Sequence, residues 1–324
     1  MQRVIVEQLG GPSDLKLVEG PDPTPGPGEV LVEVKAAGCN FFDALIIAGR
    51  YQVKPELPFS PGAEVAGVVT AVGAGVTRVA VGDRALAVLT YGGFASHVVV
   101  PEASAWRIPD AMPFDQAAAL PIVYQTSYFA LQYRAALQPG ETLVVHAAAG
   151  GVGLAAVQIG RALGATVYGT AGSDEKCALA CEHGATAAWN YRQVDWAAEL
   201  KEVTGGRGAD VLYDSVGGEV FERSMKSIAF GGRLLVIGFA SGRIPSVAAN
   251  RILLKNIAVV GLHWGAYQQH DPGLIDRAMG ELFALYERGA IAPLVSATYP
   301  LAEAADAIVA LQNRDTVGKV VLTP

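Results

Sequence analysis

The sequence predicts an α/β protein in which a β-rich first third precedes a doubly wound parallel sheet of six strands. Two observations favour this fold class. Short β-branched runs separated by glycine turns fill the region up to about residue 100. After about Pro121, apolar runs of strand length alternate with stretches of helix length. The length of 324 residues is also typical of about two domains.

The elements of the first third follow the period of half-buried strands. Residues 30–36 alternate valines with mostly polar residues, and residues 64–72 and 94–100 are further β-branched runs. Glycine turns separate these runs. Strands at this spacing predict a small, partly open β-barrel or sandwich.

The later strands are apolar without alternation, which is typical of strands covered on both faces. Helical crossovers between them imply a doubly wound parallel sheet. Two amphipathic helices, near 275–288 and 302–312, and a closing strand at 319–322 end the chain. The six strands are predicted at residues 142–147, 166–171, 187–190, 209–216, 233–239 and 258–263.

The composition excludes several classes of protein. Hydrophobic residues make up 51% and charged residues 17% of the chain, which excludes disorder. A net charge of −7 argues against a nucleic-acid binder. Three cysteines make a poor disulfide framework, and neither a secretory signal nor a membrane span is visible. We therefore expect a cytoplasmic protein without nucleic-acid or membrane partners.

A glycine-rich turn lies between the first strand and the first helix of the predicted sheet. It matches the dinucleotide fingerprint with Ala148 at the first glycine position, followed by Gly150 and Gly153. Glycines let the backbone approach a pyrophosphate, whose charge is favoured at a helix N-terminus. The residues predicted to contact the dinucleotide are Ala149, Gly150, Gly151 and Val152.

The end of the second strand indicates which dinucleotide binds. NAD-specific sites carry Asp or Glu there, about 20 residues after the turn, to bind the ribose hydroxyls. Here Asp174 is expected to begin the next helix, and cationic and hydroxyl side chains at this point would bind a 2′-phosphate. The alternative is a solvated lysine and arginine on surface turns. We predict NADPH as the cofactor, held here by Gly172, Ser173, Lys176, Tyr191 and Arg192.

Motifs that extend through most of the chain carry a family resemblance. They are the segments 37–43, 61–69, 81–84, 190–192 and 318–321, together with the glycine turn. The chain resembles the medium-chain dehydrogenase/reductase superfamily and, within it, the quinone oxidoreductase family that includes zeta-crystallin. The resemblance implies a GroES-like catalytic domain formed by residues 1–122 and 266–324, and a Rossmann NADP-binding domain at residues 123–265.

The resemblance also shows which zinc ligands are missing. Alcohol dehydrogenases of this superfamily hold a catalytic zinc with Cys, His and Cys. Asn40 occupies the place of the first cysteine, and Ala63 that of the histidine. No cysteine lies between Cys39 and Cys177, so the second cysteine ligand and the structural zinc lobe are also missing. Because zinc needs at least three protein ligands, we predict no metal site.

Without a Lewis acid, the substrate has to be electrophilic already. Simple ketones would need a metal or a matched acid, whereas quinones and α,β-unsaturated carbonyls need proximity and hydrogen-bond donors. The segment around Asn40 and Tyr51 resembles the residues beside the nicotinamide and the substrate in the family. We assign Asn40 and Tyr51 as donors to the substrate oxygen, and Asp43 as the residue that supports them.

The remaining cofactor contacts are implied by the family resemblance. Thr126, expected to open a helix at residues 126–136, matches a threonine that packs against the nicotinamide. Trp264 is assigned, with Leu262 and His263, to the nicotinamide half of the cofactor, where it would set the substrate's shape; it is equally consistent with anchoring the core or a dimer. The other contacts, mostly at the ends of the later strands, are Gly218, Gly238, Phe239, Leu262, His263 and Lys319.

These features together predict an NADPH-dependent, zinc-independent reductase that transfers a hydride to quinones or related conjugated carbonyls. One alternative is an enoyl-thioester or alkenal reductase of the same superfamily. Another is an NADPH-binding sensor or structural protein without turnover. The strand at residues 257–262 would be an uncovered apolar edge, which predicts a homodimer through the sheet edge, or a tetramer as in some relatives.

Overall fold

The computed structural model describes all 324 residues, which divide into two compact units. The first unit comprises Met1–Ile122 and Pro293–Pro324, and the second comprises Val123–Ala292. The chain returns to the first unit at Pro293 rather than at residue 266, where the sequence predicted the return. The helix Pro272–Glu287 stays with the second unit, where Glu281 accepts hydrogen bonds from two tyrosines, Tyr128 and Tyr133.

The first unit contains a seven-stranded sheet and a separate two-stranded sheet. The order in the large sheet is β14-β15-β3-β4-β5-β7, with β6 also paired to β3, and the small sheet pairs β1 with β2. The strands are β1 (Gln2–Val6), β2 (Leu15–Glu19), β3 (Glu29–Cys39), β4 (Glu64–Val72), β5 (Arg84–Val88), β6 (His97–Pro101), β7 (Ala105–Arg107), β14 (Val295–Pro300) and β15 (Lys319–Thr323). The helices with most of their length here are α1 (Phe41–Ile47), α2 (Phe114–Ala118) and α11 (Ala304–Gln312).

The alternation seen in the sequence explains the core of this unit. Val30, Val32 and Val34 of β3 are buried on one face and pack in the main apolar cluster of the unit. Strands β3 and β4 pair antiparallel, whereas β14 and β15 run parallel. The expectation of a β-rich domain that both ends of the chain build is confirmed.

The second unit contains a six-stranded, fully parallel sheet in the order β10-β9-β8-β11-β12-β13. This order confirms the predicted doubly wound fold. The strands are β8 (Thr142–His146), β9 (Thr166–Ala171), β10 (Ala187–Asn190), β11 (Ala209–Asp214), β12 (Ile228–Val236) and β13 (Ala258–Gly261). The helices are α3 (Pro121–Tyr128), α4 (Gly151–Ala162), α5 (Asp174–Glu182), α6 (Trp196–Val203), α7 (Gly218–Ser227), α8 (Ala249–Lys255), α9 (Tyr267–His270) and α10 (Pro272–Glu287).

Two predicted elements have different bounds in the structure. The helix expected at residues 126–136 begins at Pro121, because proline is favoured in the first turn, and it continues as a π-helix at Phe129–Arg134. The strand expected at residues 233–239 begins at Ile228 and ends at Val236, and an irregularity in its pairing with β11 lies between Ile228 and Arg233. The predicted opening position of Thr126 was therefore wrong.

The sheet is apolar at its centre and uncovered at one edge. His146 is buried between Thr170 and Ser224, whose hydroxyls lie 2.9 Å from Nδ1 and Nε2, and burial lowers the pKa of His146 to about 3. His146 is therefore a neutral histidine with a structural role. Strand β13 is the edge strand, with Val259 and Val260 half-buried. The predicted dimer at this edge stays a prediction.

None of the helices has the length and apolar character needed to cross a membrane.

Gly153 of α4 and Gly280 of α10 provide a matched pair for testing how closely α4 packs on the glycine turn. A Cβ at position 153 would lie 2.1 Å from the Ala147 carbonyl oxygen, whereas a Cβ at position 280 meets nothing within 4 Å. We expect Gly153→Ala to lower the free energy of unfolding by about 2 kcal/mol or more. Gly280→Ala should raise it by about 0.5–1 kcal/mol, because alanine favours the helix. Urea unfolding measures both, and equal effects would contradict the described packing.

Candidate active site

Asn40 lies at the junction between β3 and α1, where Asp43 holds its backbone. Asp43 Oδ2 accepts a hydrogen bond from the Asn40 N–H at 2.7 Å, and its Oδ1 accepts one from the Gly62 N–H at 3.3 Å. Burial raises the pKa of Asp43 to about 7, although these N–H donors and the nearby Lys319 oppose the rise. Asp43 thus contacts the backbone of Asn40, in the supporting position assigned from the sequence.

The side-chain amide of Asn40 is held in one orientation by two charged groups. Its Nδ2 donates to Glu64 Oε1 at 2.8 Å, and its Oδ1 accepts from Lys319 Nζ at 2.7 Å. A flipped amide would place oxygen against the carboxylate and NH2 against the ammonium, so the observed orientation is strongly favoured. One Nδ2 hydrogen of Asn40 is left to donate to another group.

Lys319 has a different role from the cofactor contact that the family resemblance implied. Its ammonium donates to the Cys39 carbonyl, to Asn40 Oδ1 and to Glu64 Oε1, each at 2.7 Å. The side chain is 4% exposed and its partner Glu64 is fully buried. Because an ammonium group has three protons, these bonds leave none for a cofactor. Lys319 therefore supports Asn40 from within the first unit.

Tyr51 is half-buried and stacks on Phe42 of α1. The two ring centroids are 5.3 Å apart, with an angle of 22° between the ring planes. Burial, and then the charge of Asp43, raise the pKa of Tyr51 above its ordinary value of 10.0. The hydroxyl therefore keeps its proton at neutral pH and is able to donate. The first unit thus brings Asn40, Asp43 and Tyr51 together.

In the second unit, the glycine turn opens α4 as predicted from the sequence. Ala147 adopts a left-handed φ of 53°, a conformation that is costly for a residue with a side chain and that is common at binding sites. Gly150 precedes α4, and no side chain caps the N-terminus of that helix. The free N–H groups of its first turn fit an anionic pyrophosphate. The predicted contact residues Ala149, Gly150, Gly151 and Val152 form this turn.

The ends of β9 and β10 bring a hydroxyl and a guanidinium group together. A Cβ on Gly172 would lie 2.7 Å from the Tyr191 hydroxyl and 3.7 Å from Arg192 Nε, so both groups lie close to Gly172. Ser173 caps α5 by accepting a hydrogen bond from the Lys176 N–H at 3.3 Å. Four of the five residues predicted to hold the 2′-phosphate directly follow these two strands, and the fifth, Lys176, lies in the first turn of α5.

Asp174, the nearest acidic residue to these strand ends, is bound by two amide groups. Its Oδ1 accepts from Asn190 Nδ2 at 2.8 Å, and its Oδ2 accepts from Gln193 Nε2 at 3.1 Å. These hydrogen bonds lower the pKa of Asp174. Both carboxylate oxygens thus have donors from the protein, and these donors tie Asp174 to the end of β10.

The ends of β11, β12 and β13 place the other predicted residues on three loops. Gly217 and Gly218 have φ values of 73° and 55°, and the Gly218 N–H donates to the Arg243 carbonyl at 3.1 Å. These glycines therefore leave space for the neighbouring loop that carries Arg243, a role that the sequence did not reveal. Gly238 and Leu262 are half-buried, and Phe239 and His263 are exposed.

Trp264 is buried within the second unit, as one of its two predicted roles required. Its Nε1–H donates to Gln125 Oε1 at 3.0 Å, and the side chain is 7% exposed. Gln125 lies on α3 next to Thr126, which is half-buried. Trp264 therefore contributes to the core of this unit rather than lying open at its surface.

Three buried polar residues, one in the first unit and two in the second, were missed by the sequence analysis. They are Glu64, Gln125 and Asp214, all buried. Asp214 ends β11 and accepts hydrogen bonds from the N–H groups of Val216 and Gly217, at 2.7 and 2.9 Å. Burial raises the pKa of Asp214. Glu64 and Asp214 each adjoin an apolar run of strand length, which is a signal that could have found them, whereas Gln125 is followed by the polar residues Thr126 and Ser127.

The structure shows what surrounds the positions where relatives carry zinc ligands. Ala63 is buried and Asn40 is bonded to Glu64 and Lys319. No group of three or more His, Cys, Asp or Glu side chains is arranged to hold a metal ion.

Replacing Lys319 should be far more damaging than replacing an exposed lysine. Lys319→Met leaves the carboxylate of Glu64 buried without its counter-charge, and we expect a loss of about 3–5 kcal/mol in the free energy of unfolding. Lys35→Met removes an exposed ion pair with Glu33 on β3 and should cost less than about 1 kcal/mol. Glu64→Gln combined with Lys319→Met should recover part of the loss. Denaturant titration measures all three, and a mild effect of Lys319→Met would contradict the described contacts.

The chain matches known proteins along its whole length. Residues 26–110 match the family described as alcohol dehydrogenase GroES-like domain, and residues 151–279 match the family described as zinc-binding dehydrogenase. The quinone oxidoreductase-like protein 2 of Rattus norvegicus is 42% identical over 92% of this chain and 85% of its own length. The quinone oxidoreductase of Pseudomonas aeruginosa is 38% identical over 100% of this chain and 99% of its own.

The fold also matches a solved structure over its full length. The crystal structure of Escherichia coli quinone oxidoreductase complexed with NADPH has a TM-score of 0.93 and 36% identity, and covers 100% of both chains. These matches agree with the two-unit fold. The chain belongs to the quinone oxidoreductase-like branch of the medium-chain dehydrogenase/reductase superfamily, and it is an oxidoreductase of that superfamily.

Proposed function

We propose that this protein is an NADPH-dependent reductase that transfers a hydride to quinones or related conjugated carbonyls without zinc. The second unit binds the cofactor, and the first supplies the donors to the substrate. The proposal rests mainly on the arrangement of side chains at the C-terminal ends of β9 and β10. There, Tyr191 and Arg192 converge on Gly172, while both oxygens of Asp174 are bound by Asn190 and Gln193.

These strand ends favour a 2′-phosphate over a free ribose. NAD-specific sites use a carboxylate at this point to accept from ribose hydroxyls, whereas a phosphate needs a cation and a hydroxyl donor. Arg192 is exposed and makes no ion pair with an acidic side chain, so its guanidinium is available to a phosphate. The crystal structure of the Escherichia coli relative, complexed with NADPH, supports the same cofactor.

The chain's own residues have separate tasks in the proposed reaction. When bound, NADPH supplies the hydride from its nicotinamide ring. The first turn of α4, with Gly150 and Gly151, binds the pyrophosphate through backbone N–H groups. Asn40 and Tyr51 donate hydrogen bonds to the substrate oxygen, where negative charge develops.

The orientation of Asn40 makes it suitable as a donor. Glu64 and Lys319 hold its amide so that an N–H, and not the carbonyl oxygen, is left to contact a ligand. A fixed donor stabilises developing negative charge without reorganisation. The raised pKa of Tyr51 likewise keeps its hydroxyl protonated at neutral pH.

The proposal is tested by following NADPH oxidation with three acceptors. We expect turnover with 1,4-benzoquinone and 9,10-phenanthrenequinone, and little with a crotonyl thioester. NADH should support turnover with a KM at least about tenfold higher, because it lacks the 2′-phosphate.

The other outcomes point to the alternative functions. Turnover with the thioester alone would favour an enoyl-thioester or alkenal reductase. Tight NADPH binding, seen by cofactor fluorescence, with no oxidation by any acceptor would favour a sensor. A preference for NADH, or bound zinc found by elemental analysis, would refute the proposal.

Arg192→Ala tests the assigned 2′-phosphate contact directly. Loss of a charge-assisted hydrogen bond should raise the KM for NADPH by about tenfold or more and leave the KM for NADH nearly unchanged. Arg251→Ala, which removes another exposed arginine of the same unit, is the matched control and should change neither value. Equal effects of Arg192→Ala on the two cofactors would show that Arg192 does not contact the phosphate.

A further inference from the structure

Gln125 has a buried side-chain donor that the protein itself does not satisfy. The residue lies on α3 and is fully buried, and its Oε1 accepts the indole N–H of Trp264 at 3.0 Å. Its Nε2 has no hydrogen-bond acceptor. Only one other buried side-chain polar atom in the chain lacks a partner, Oδ2 of Asp214. Such atoms are rare in folded proteins, and each indicates strain, a bound water or a ligand.

Trp264 determines which end of the Gln125 amide has no hydrogen-bond partner. An indole N–H only donates, so it has to face the amide oxygen. A flipped amide would place two donors against each other and leave the oxygen buried without a donor. The group that remains is therefore an NH2 with two hydrogens, and its partner has to be an acceptor.

The neighbours of Gln125 indicate where this acceptor comes from. Thr126, the next residue, is the one that the family resemblance places against the nicotinamide. Trp264 follows the end of β13, next to Leu262 and His263, which are assigned to the same half of the cofactor. Under the proposed function, this part of the second unit binds the nicotinamide half of the cofactor, whose carboxamide carries a carbonyl oxygen.

We propose that Gln125 Nε2 donates a hydrogen bond to a carbonyl oxygen of the bound ligand, with Trp264 as the positioning residue. This inference rests on the proposed function. Two sources offer the same chemistry: the carboxamide of the nicotinamide and the carbonyl of the electron acceptor. In either case, Gln125 helps to select ligands that carry a carbonyl oxygen at this point.

The test uses Gln125→Met combined with Trp264→Phe, together with each single variant. The double variant removes the unsatisfied donor and its positioning partner without leaving either one unpaired. We therefore expect the melting temperature of the ligand-free protein to stay within a few degrees of wild type. Circular dichroism checks this before any ligand is added.

Binding and turnover then separate the two sources of the carbonyl. An increase of about tenfold in the Kd for NADPH, with no change in the Kd for adenosine 2′,5′-bisphosphate, assigns the contact to the carboxamide, because that fragment lacks the nicotinamide. An unchanged Kd for NADPH with about a tenfold loss in kcat/KM for 9,10-phenanthrenequinone assigns it to the acceptor.

Trp264→Phe alone keeps the donor but frees its orientation. It should show the same pattern as the double variant with a smaller change, whereas a purely structural role would lower the melting temperature and leave the Kd and kcat/KM unchanged. If the double variant keeps both values within twofold of wild type, the inference is overturned. A wild-type protein that binds no NADPH would refute the proposed function, and this inference with it.

Discussion

A buried ammonium group has to be surrounded by acceptors and neutralised by a carboxylate, and the first unit is arranged around one such group. Lys319 opens β15 and reaches the Cys39 carbonyl at the end of β3 and Glu64 at the start of β4. The second oxygen of Glu64 accepts the Ile122 N–H at 2.8 Å, in the first turn of α3. Segments far apart in the chain therefore meet at one point. Because Glu64 and Lys319 both bond to the Asn40 side chain, this ion pair also fixes the orientation of the Asn40 amide.

The second unit depends on a different constraint, which is the parallel direction of its strands. Parallel strands present their carboxyl ends at one edge of the sheet, where the loops lie. The order β10-β9-β8 thus places the glycine turn, Gly172 and Tyr191 on the same side, although they are separated along the chain. The proposed anion binding by backbone N–H groups and by Arg192 depends on this placement. The proposed use of NADPH rests on it.

The buried polar groups of the second unit divide into satisfied and unsatisfied ones. Gln158 bonds to the Tyr124 hydroxyl, to the backbone of Ala292 and to His183, and His146 bonds to two hydroxyls. These residues stabilise the unit without any ligand. Gln125 differs, because one end of its amide is bonded and the other is not. Gln125 is therefore the buried amide of this unit for which we propose a ligand as the missing partner.

The sequence by itself determined the fold class, the glycine turn and the cluster at the ends of β9 and β10, because these depend on local periodicity and on glycine at fixed positions. Only the tertiary structure decided the roles of Lys319 and Trp264. Their partners, Glu64 and Gln125, lie 255 and 139 residues away along the chain. The boundary at Pro293 was likewise decided by the packing of α10. Hydrogen bonds and ion pairs between distant residues leave no periodic signal, because they depend on which side chains folding brings within about 3 Å.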